Sequence, residues 1–241
     1  MKINNTFKKA LLVLALMPSL VLAQLASASE EIHLDKAPID ASNHESLQRG
    51  ARTFTNYCLN CHSANYMRYN RLLEIGLTEQ QIKENLIFTG DKVGDPMKVS
   101  INKKEAKTWF GVAPPDLSVE VRARGADWIY SYMRGFYRDS TRPTGWNNTV
   151  YDKVAMPHVL YELQGEQAFN QETHELTLAK PGKLTGAEYD ALVGDLTNYL
   201  AFMSEPAKQQ RNHMGWFVLL FLGVLLVLTY KLKKAYWRDI H

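Results

Sequence analysis

The chain has two cysteines, and both fall in one five-residue string, Cys58-Leu59-Asn60-Cys61-His62. The spacing has a chemical meaning. Thiols three residues apart on one turn can each form a thioether to a haem vinyl group, and the next side chain is then held under the ring, where an imidazole nitrogen reaches iron. Three other uses of C-x-x-C compete. A thioredoxin-like redox dithiol needs a surrounding βαβ pattern, which the sequence lacks. Zinc needs a second Cys or His pair at its own spacing, and none follows. A plain structural disulfide makes no use of His62. With 7 histidines in 241 residues, an accidental one there is roughly a one-in-thirty event. The string therefore reads as an attachment site for one covalently bound haem c.

Iron held by His62 alone would be five-coordinate and reactive, and electron-transfer cytochromes usually fill the sixth position with Met, which raises the potential. Met67 lies too close to Cys61 in the chain to reach the opposite face. Met133 and Met203 sit in helical stretches where core packing explains them. Met97, in Asp95-Pro96-Met97-Lys98, stays open, and so does a histidine ligand. Met156 is favoured, because Lys153-Val154-Ala155-Met156-Pro157 is a proline-held loop after the middle helices and before the last one. His158 is the histidine to watch, although an exposed or hydrogen-bonded loop role explains it better.

The elements that must position these groups read as mainly helical. A first helix over Ser46–Tyr57 places Leu47, Ala51, Phe54 and Cys58 near 3.6 spacing, and Gly50 leaves room for a close helix crossing. A second runs from Gly186 to Ser204. Thr185 and Glu188 form its capping box, Tyr189, Leu192, Val193, Leu196, Tyr199, Leu200 and Met203 lie on its apolar face, and Pro206 ends it. Shorter helical pieces fall around Arg68–Glu74, Thr78–Leu86 and Ala126–Tyr137; the rest is loop, with little alternating strand pattern.

Both ends are addressed to a membrane. Lys2, Lys8 and Lys9, the apolar run 10–25 and Ala26-Ser27-Ala28 make a cleaved signal peptide over 1–28, and Pro18 argues against an uncleaved anchor. Met214–Tyr230 carries no charge, has Trp216 at one end and Tyr230, Tyr236 and Trp237 at the other, and reads as a transmembrane anchor. Lys231, Lys233, Lys234 and Arg238 outnumber Lys208 and Arg211, so the tail 231–241 falls on the cytoplasmic side. The exported domain, 29–213, is long enough for one domain with a real core. It holds 21 basic and 24 acidic side chains, so the chain's net +3 comes from its ends. The basic balance says nothing about nucleic acid, for which no motif exists, and a mildly acidic domain favours a basic partner.

The order of these features resembles the cytochrome c1 family, the haem-c subunits of the ubiquinol–cytochrome c reductase (cytochrome bc1) complex. The resemblance is carried by the leader, the early C-x-x-C-H, Ala113-Pro114-Pro115-Asp116-Leu117-Ser118, then Val121-Arg122-Ala123-Arg124, the Ala155-Met156-Pro157 loop and the single C-terminal anchor. It implies a class I-like cytochrome c haem domain with long loops, plus one C-terminal transmembrane helix. It implies thioethers at Cys58 and Cys61 and axial ligands at His62 and Met156. Pro114 and Pro115 would wall the haem on the His62 side, where a prolyl carbonyl could accept the Nδ1–H of His62. Arg124 would face a propionate, and Trp128 would stand where the family has an aromatic near the haem. The partners implied are cytochrome b, a Rieske iron–sulfur protein, a soluble cytochrome c and membrane lipid, in a dimeric complex of a bacterial inner membrane with the haem domain periplasmic. The chain would have no catalytic acid or base and no quinol site. The alternative is an anchored cytochrome c feeding a terminal oxidase. The lysine-bearing stretch Gly90–Lys107 shows no haem role in the sequence; a contact with another subunit stays open, and a solvated loop is the better reading.

Overall fold

The computed structural model describes residues 33–99 and 101–238. The expected leader, 1–28, lies outside them. In chain order the elements are α1 (His44–Thr53), a π-helical turn (Phe54–Cys58), β1 (Ala64–Arg68), a 3-10 helix (Tyr69–Ile75), α2 (Glu79–Asn85), β2 (Pro96–Met97), α3 (Lys103–Phe110), α4 (Glu120–Arg124), α5 (Ala126–Arg134), β3 (Phe136–Arg138), β4 (Trp146–Asn148), α6 (Tyr161–Gln164), β5 (Gly165–Phe169), β6 (Leu176–Pro181), α7 (Gly186–Ser204) and α8 (Lys208–Tyr236).

Helices α1 and α7 cross at Gly50. A Cβ there would stand 2.1 Å from the Asp195 carbonyl oxygen and 2.6 Å from Tyr199 Cβ, so only glycine lets the backbones approach this closely. Leu47, Ala51 and Phe54 then bury against Tyr189, Val193, Leu196 and Tyr199, with the Phe54 and Tyr199 rings 5.6 Å apart. Arg49 closes the crossing from outside with a forked pair of bonds to Asp195 at 2.6 and 3.0 Å. Helix α7 has the expected bounds and Thr185–Glu188 capping box. Helix α1 begins earlier than expected, because Asn43 accepts the Ser46 N–H and caps it. Its last turn widens where the Thr55 hydroxyl donates to the carbonyls of Ala51 and Arg52.

Of the short middle pieces, the one over Thr78–Leu86 is α2, capped at Thr78, as expected, and the other two differ. The piece around Arg68 ends a strand and continues as the 3-10 helix, and the helix from Ala126 stops at Arg134. The strands form three two-stranded antiparallel pairs, β1–β2, β3–β4 and β5–β6. Helices α3 and α4 lie in stretches that had not read as helix. Helix α8 extends well beyond the apolar run at both ends, and its segment Gln210–Tyr236 is long and apolar enough to cross a membrane with no part of its apolar window buried in the protein. Its 29 residues give a rod of about 44 Å against a hydrocarbon core of about 30 Å.

Candidate functional site

The π turn delivers Cys58 into the interior, and the chain then doubles back. The Cys58 carbonyl accepts the N–H groups of both Cys61 (3.1 Å) and His62 (2.8 Å), so the C-x-x-C-H string is one tight turn around a single oxygen. Both thiols are free. Burial, with Cys61 alongside, pushes the Cys58 thiol up to about 12, and burial raises Cys61 as well. His62 Nδ1 lies 2.8 Å from the Pro115 carbonyl oxygen. A carbonyl can only accept, so Nδ1 carries the hydrogen and Nε2 is left with its lone pair. Burial lowers the His62 pKa more than the Pro115 bond and the charges of Glu120 and Asp116 raise it, which keeps the ring in its neutral, ligating form.

The Pro114–Pro115 loop is fixed from behind. The Asp116 carboxylate accepts the Asn65 N–H (2.9 Å), the Asn65 amide (2.6 Å) and the Ser118 N–H (2.9 Å). The Leu117 N–H donates to the Ser63 carbonyl at 2.8 Å. The loop is thereby stitched to the residues that follow His62.

These groups open onto one crevice with two lobes. The larger, about 410 Å³, is lined by Cys58 and His62 on one side and by Val154, Met156, Leu196 and Leu200 elsewhere. The smaller, about 140 Å³, brings in Cys61, Phe110, Pro114 and Pro157. Cys58, His62, Pro115 and Met156 line both lobes. Arg124 and Trp128 reach the larger one. The Arg124 guanidinium pairs with Glu120 and lies 4.5 Å over the Trp128 ring and 5.8 Å from that of Tyr151. Trp128 stacks on Tyr132 at 4.9 Å.

Of the competing sulfur ligands, Met67 and Met97 are buried in β1 and β2 and line neither lobe; Tyr199 donates its hydroxyl to the Met97 sulfur at 3.6 Å. Met203 is buried in the core. Met133 is buried on α5, as its helical position suggested, yet it also lines the larger lobe. His158 overturns the exposed half of its expected role. It is 1% exposed, stacked on Phe136 at 4.8 Å and edge-on to Trp146, with the Gln164 side chain as its polar neighbour. Burial pushes its pKa down to about 4, and it lines neither lobe.

Three positioning side chains gave no signal in the sequence. The Asn148 amide donates to the Tyr132 carbonyl (2.7 Å), while its oxygen accepts the Val150 and Tyr151 N–H groups. The Asn147 oxygen accepts the Lys153 N–H at 2.8 Å, which holds Lys153 at φ +58 and turns the chain towards Met156. The Tyr132 hydroxyl then donates to the Met156 sulfur at 3.5 Å. Side-chain amides reaching into loop backbone leave no periodic trace.

The donor set suits haem c. Two thiols lie on one turn, an imidazole nitrogen and a thioether face a shared, mostly apolar crevice of cofactor size, and a guanidinium stands at its rim for a carboxylate. Among the described residues no three His, Cys, Asp or Glu side chains gather as a metal cluster, so a closed zinc site would lack ligands.

Comparison with known proteins agrees with this chemistry. The profile of the Cytochrome C1 family matches residues 34–240. The chain is 46% identical to a cytochrome c1 of Allochromatium vinosum, over 91% of this chain and 94% of that one. It is 30% identical to a cytochrome c1 of Rhodospirillum rubrum, over 80% and 81% respectively. It is also 56% identical to a Nitrosomonas europaea protein named ammonia monooxygenase gamma subunit, over 89% of this chain and 92% of that one.

Proposed function

The chain belongs to the cytochrome c1 family, whose members carry covalently bound haem c, and from that premise we propose that it takes an electron from a Rieske iron–sulfur subunit and passes it to a soluble cytochrome c within a quinol-oxidising bc1 complex. The observation that carries this reading is that Cys58, His62 and Met156 line both lobes of one crevice, with His62 Nδ1 already committed to Pro115. The bound haem supplies a one-electron iron couple. Cys58 and Cys61 would hold it by thioethers, and His62 Nε2 and the Met156 sulfur are the side-chain atoms that would bind its iron. Pro115 fixes the His62 tautomer and ring plane. Tyr132 and the Asn147–Asn148 pair aim Met156. Arg124, braced by Glu120 and Trp128, neutralises a propionate. The protein contributes orientation, a dry pocket and tuning of the potential, and needs no acid or base of its own. The proposed topology has the leader over 1–28 removed, α8 spanning the inner membrane, the haem domain periplasmic and the complex dimeric.

The test is a mild-detergent pull-down from membranes through a tag on the tail, read by mass spectrometry and by a reduced-minus-oxidised spectrum. Co-purification of a multi-span b-haem protein and a Rieske protein, with b and c signals together, is the expected result. The 56% identical relative brings a second reading: the same anchored haem domain as a subunit of a monooxygenase. Recovery of monooxygenase subunits would favour that reading, and recovery of oxidase subunits would favour the terminal-oxidase alternative; either result would displace the bc1 assignment.

A further inference from the structure

We propose that α3 and the apolar rim of the smaller lobe form the docking face for an acidic soluble electron carrier. This rests on the electron-transfer reading above and names the chemical class of its acceptor. Between Pro96 and Phe110 the chain carries Lys98, Lys103, Lys104 and Lys107 against one acid, Glu105. Asn102 caps α3 by accepting the Lys104 N–H at 2.8 Å, and Gly111 stops it at φ +80. Ala106 is the helix's single buried side chain. So α3 is not there to fill the core.

Its orientation links it to the site. Lys103, Lys107 and Phe110 fall at i, i+4 and i+7, one face of the helix, and Phe110 lines the lobe that Cys61 and His62 also line. Lys103 and Lys107 repel each other along that face. Among the described residues no carboxylate pairs with any of the four lysines. The rim beside them is uncharged: Val112, 53% exposed, with Pro114, Pro157 and Val159. Trp109, 63% exposed, stands on the other flank of the helix. An apolar centre with unpaired charge at its margin is the make-up of a transient interface steered by electrostatics.

The sign of the charge selects the partner. The exported domain as a whole is mildly acidic, which on its own favours a basic carrier. At physiological salt, however, charges more than about 8 Å apart are largely screened, so a carrier at the rim responds to the charges nearest it. On the α3 side of the rim those charges are lysines.

The experiment uses the whole detergent-solubilised complex. The haem is reduced beforehand with ascorbate, and stopped-flow follows electron passage to two soluble monohaem cytochromes c, one of net negative and one of net positive charge. The wild-type complex should reduce the negative probe faster, with a rate that falls as salt rises. Lys103→Glu/Lys107→Glu should lower that rate about tenfold or more at low salt and reverse its salt dependence. The Lys103→Gln/Lys107→Gln pair should fall between. An unchanged rate in the glutamate pair, or a salt-sensitive wild-type preference for the positive probe, would overturn the proposal. So would loss of a membrane subunit from the purified glutamate pair, which would make α3 a subunit contact. Ascorbate reduction reads the docking face whatever the upstream donor, and a quinol-driven run on the same sample separately tests the bc1 reading.

Discussion

Pro115 has no N–H to give, so what it offers His62 is a carbonyl, and that carbonyl settles which imidazole nitrogen is bare. Met156 lines the same crevice as His62, and the Met156→Ala variant should lose the visible band of Met-ligated ferric haem while keeping attached haem; an unchanged resting spectrum would remove Met156 from the proposed ligand set. Asp116, which holds the Pro115 loop, supports a pH prediction. Burial works against its charge, but the bonds accepted from Ser118 and Asn65 outweigh burial and hold its pKa below the ordinary value. Its stabilisation is therefore complete above the ordinary carboxylate value, about 4, and is lost as pH falls through the lower folded value. Asp116→Asn should cost about 1–2 kcal/mol at pH 7, a figure discounted for partial exposure, and the gap should shrink in acid. Melting curves of wild type and variant at pH 7 and pH 3 check this; a gap that widens in acid would contradict it. The attachment string was legible at this scale because its chemistry is local. Asn147, Asn148 and Tyr132 were not, because their partners are loop backbone and a sulfur brought near by the fold.

Helices α1 and α7 meet where glycine permits it, which ranks two substitutions. Gly50→Ala drives a methyl into the Asp195 carbonyl and should cost about 1–3 kcal/mol, since backbone cannot swing aside as a side chain can. Arg49→Ala removes the ion pair over the same crossing, but Arg49 is 53% exposed, so the loss should stay under about 1 kcal/mol. Thermal melts of the full chain in detergent check the order, and a larger loss for Arg49→Ala would show that the crossing is held from outside. Helix α7 was readable to the residue because its cap, apolar face and stop agree. The hairpins were not, since strands of two or three residues are too short to show a period; Met97 looked like a loop residue for that reason and is a buried strand residue. Helix α3 was hidden by its lysines, with only Ala106 turned inward.

Over the whole molecule the crevice matters more than any one contact. Cys58, Val154, Leu196 and Leu200 belong to the buried core and also line the larger lobe, so the cofactor completes the core rather than decorating it. A Cys58→Ala/Cys61→Ala chain should therefore be degraded in cells, or lose its cooperative melt when purified; a well-folded, haem-free domain by circular dichroism would sink this expectation. Three residues, Glu205 to Ala207, separate α7 from α8. The Glu205 carboxylate lies 3.3 Å from Arg211 and 3.9 Å from Lys208 on the membrane helix. It also lies 3.9 Å from Arg122, on the short helix that carries Arg124. A three-residue linker leaves the haem domain little travel of its own relative to α8. On the proposed electron-transfer reading, the movement between donor and acceptor would then fall to the partners.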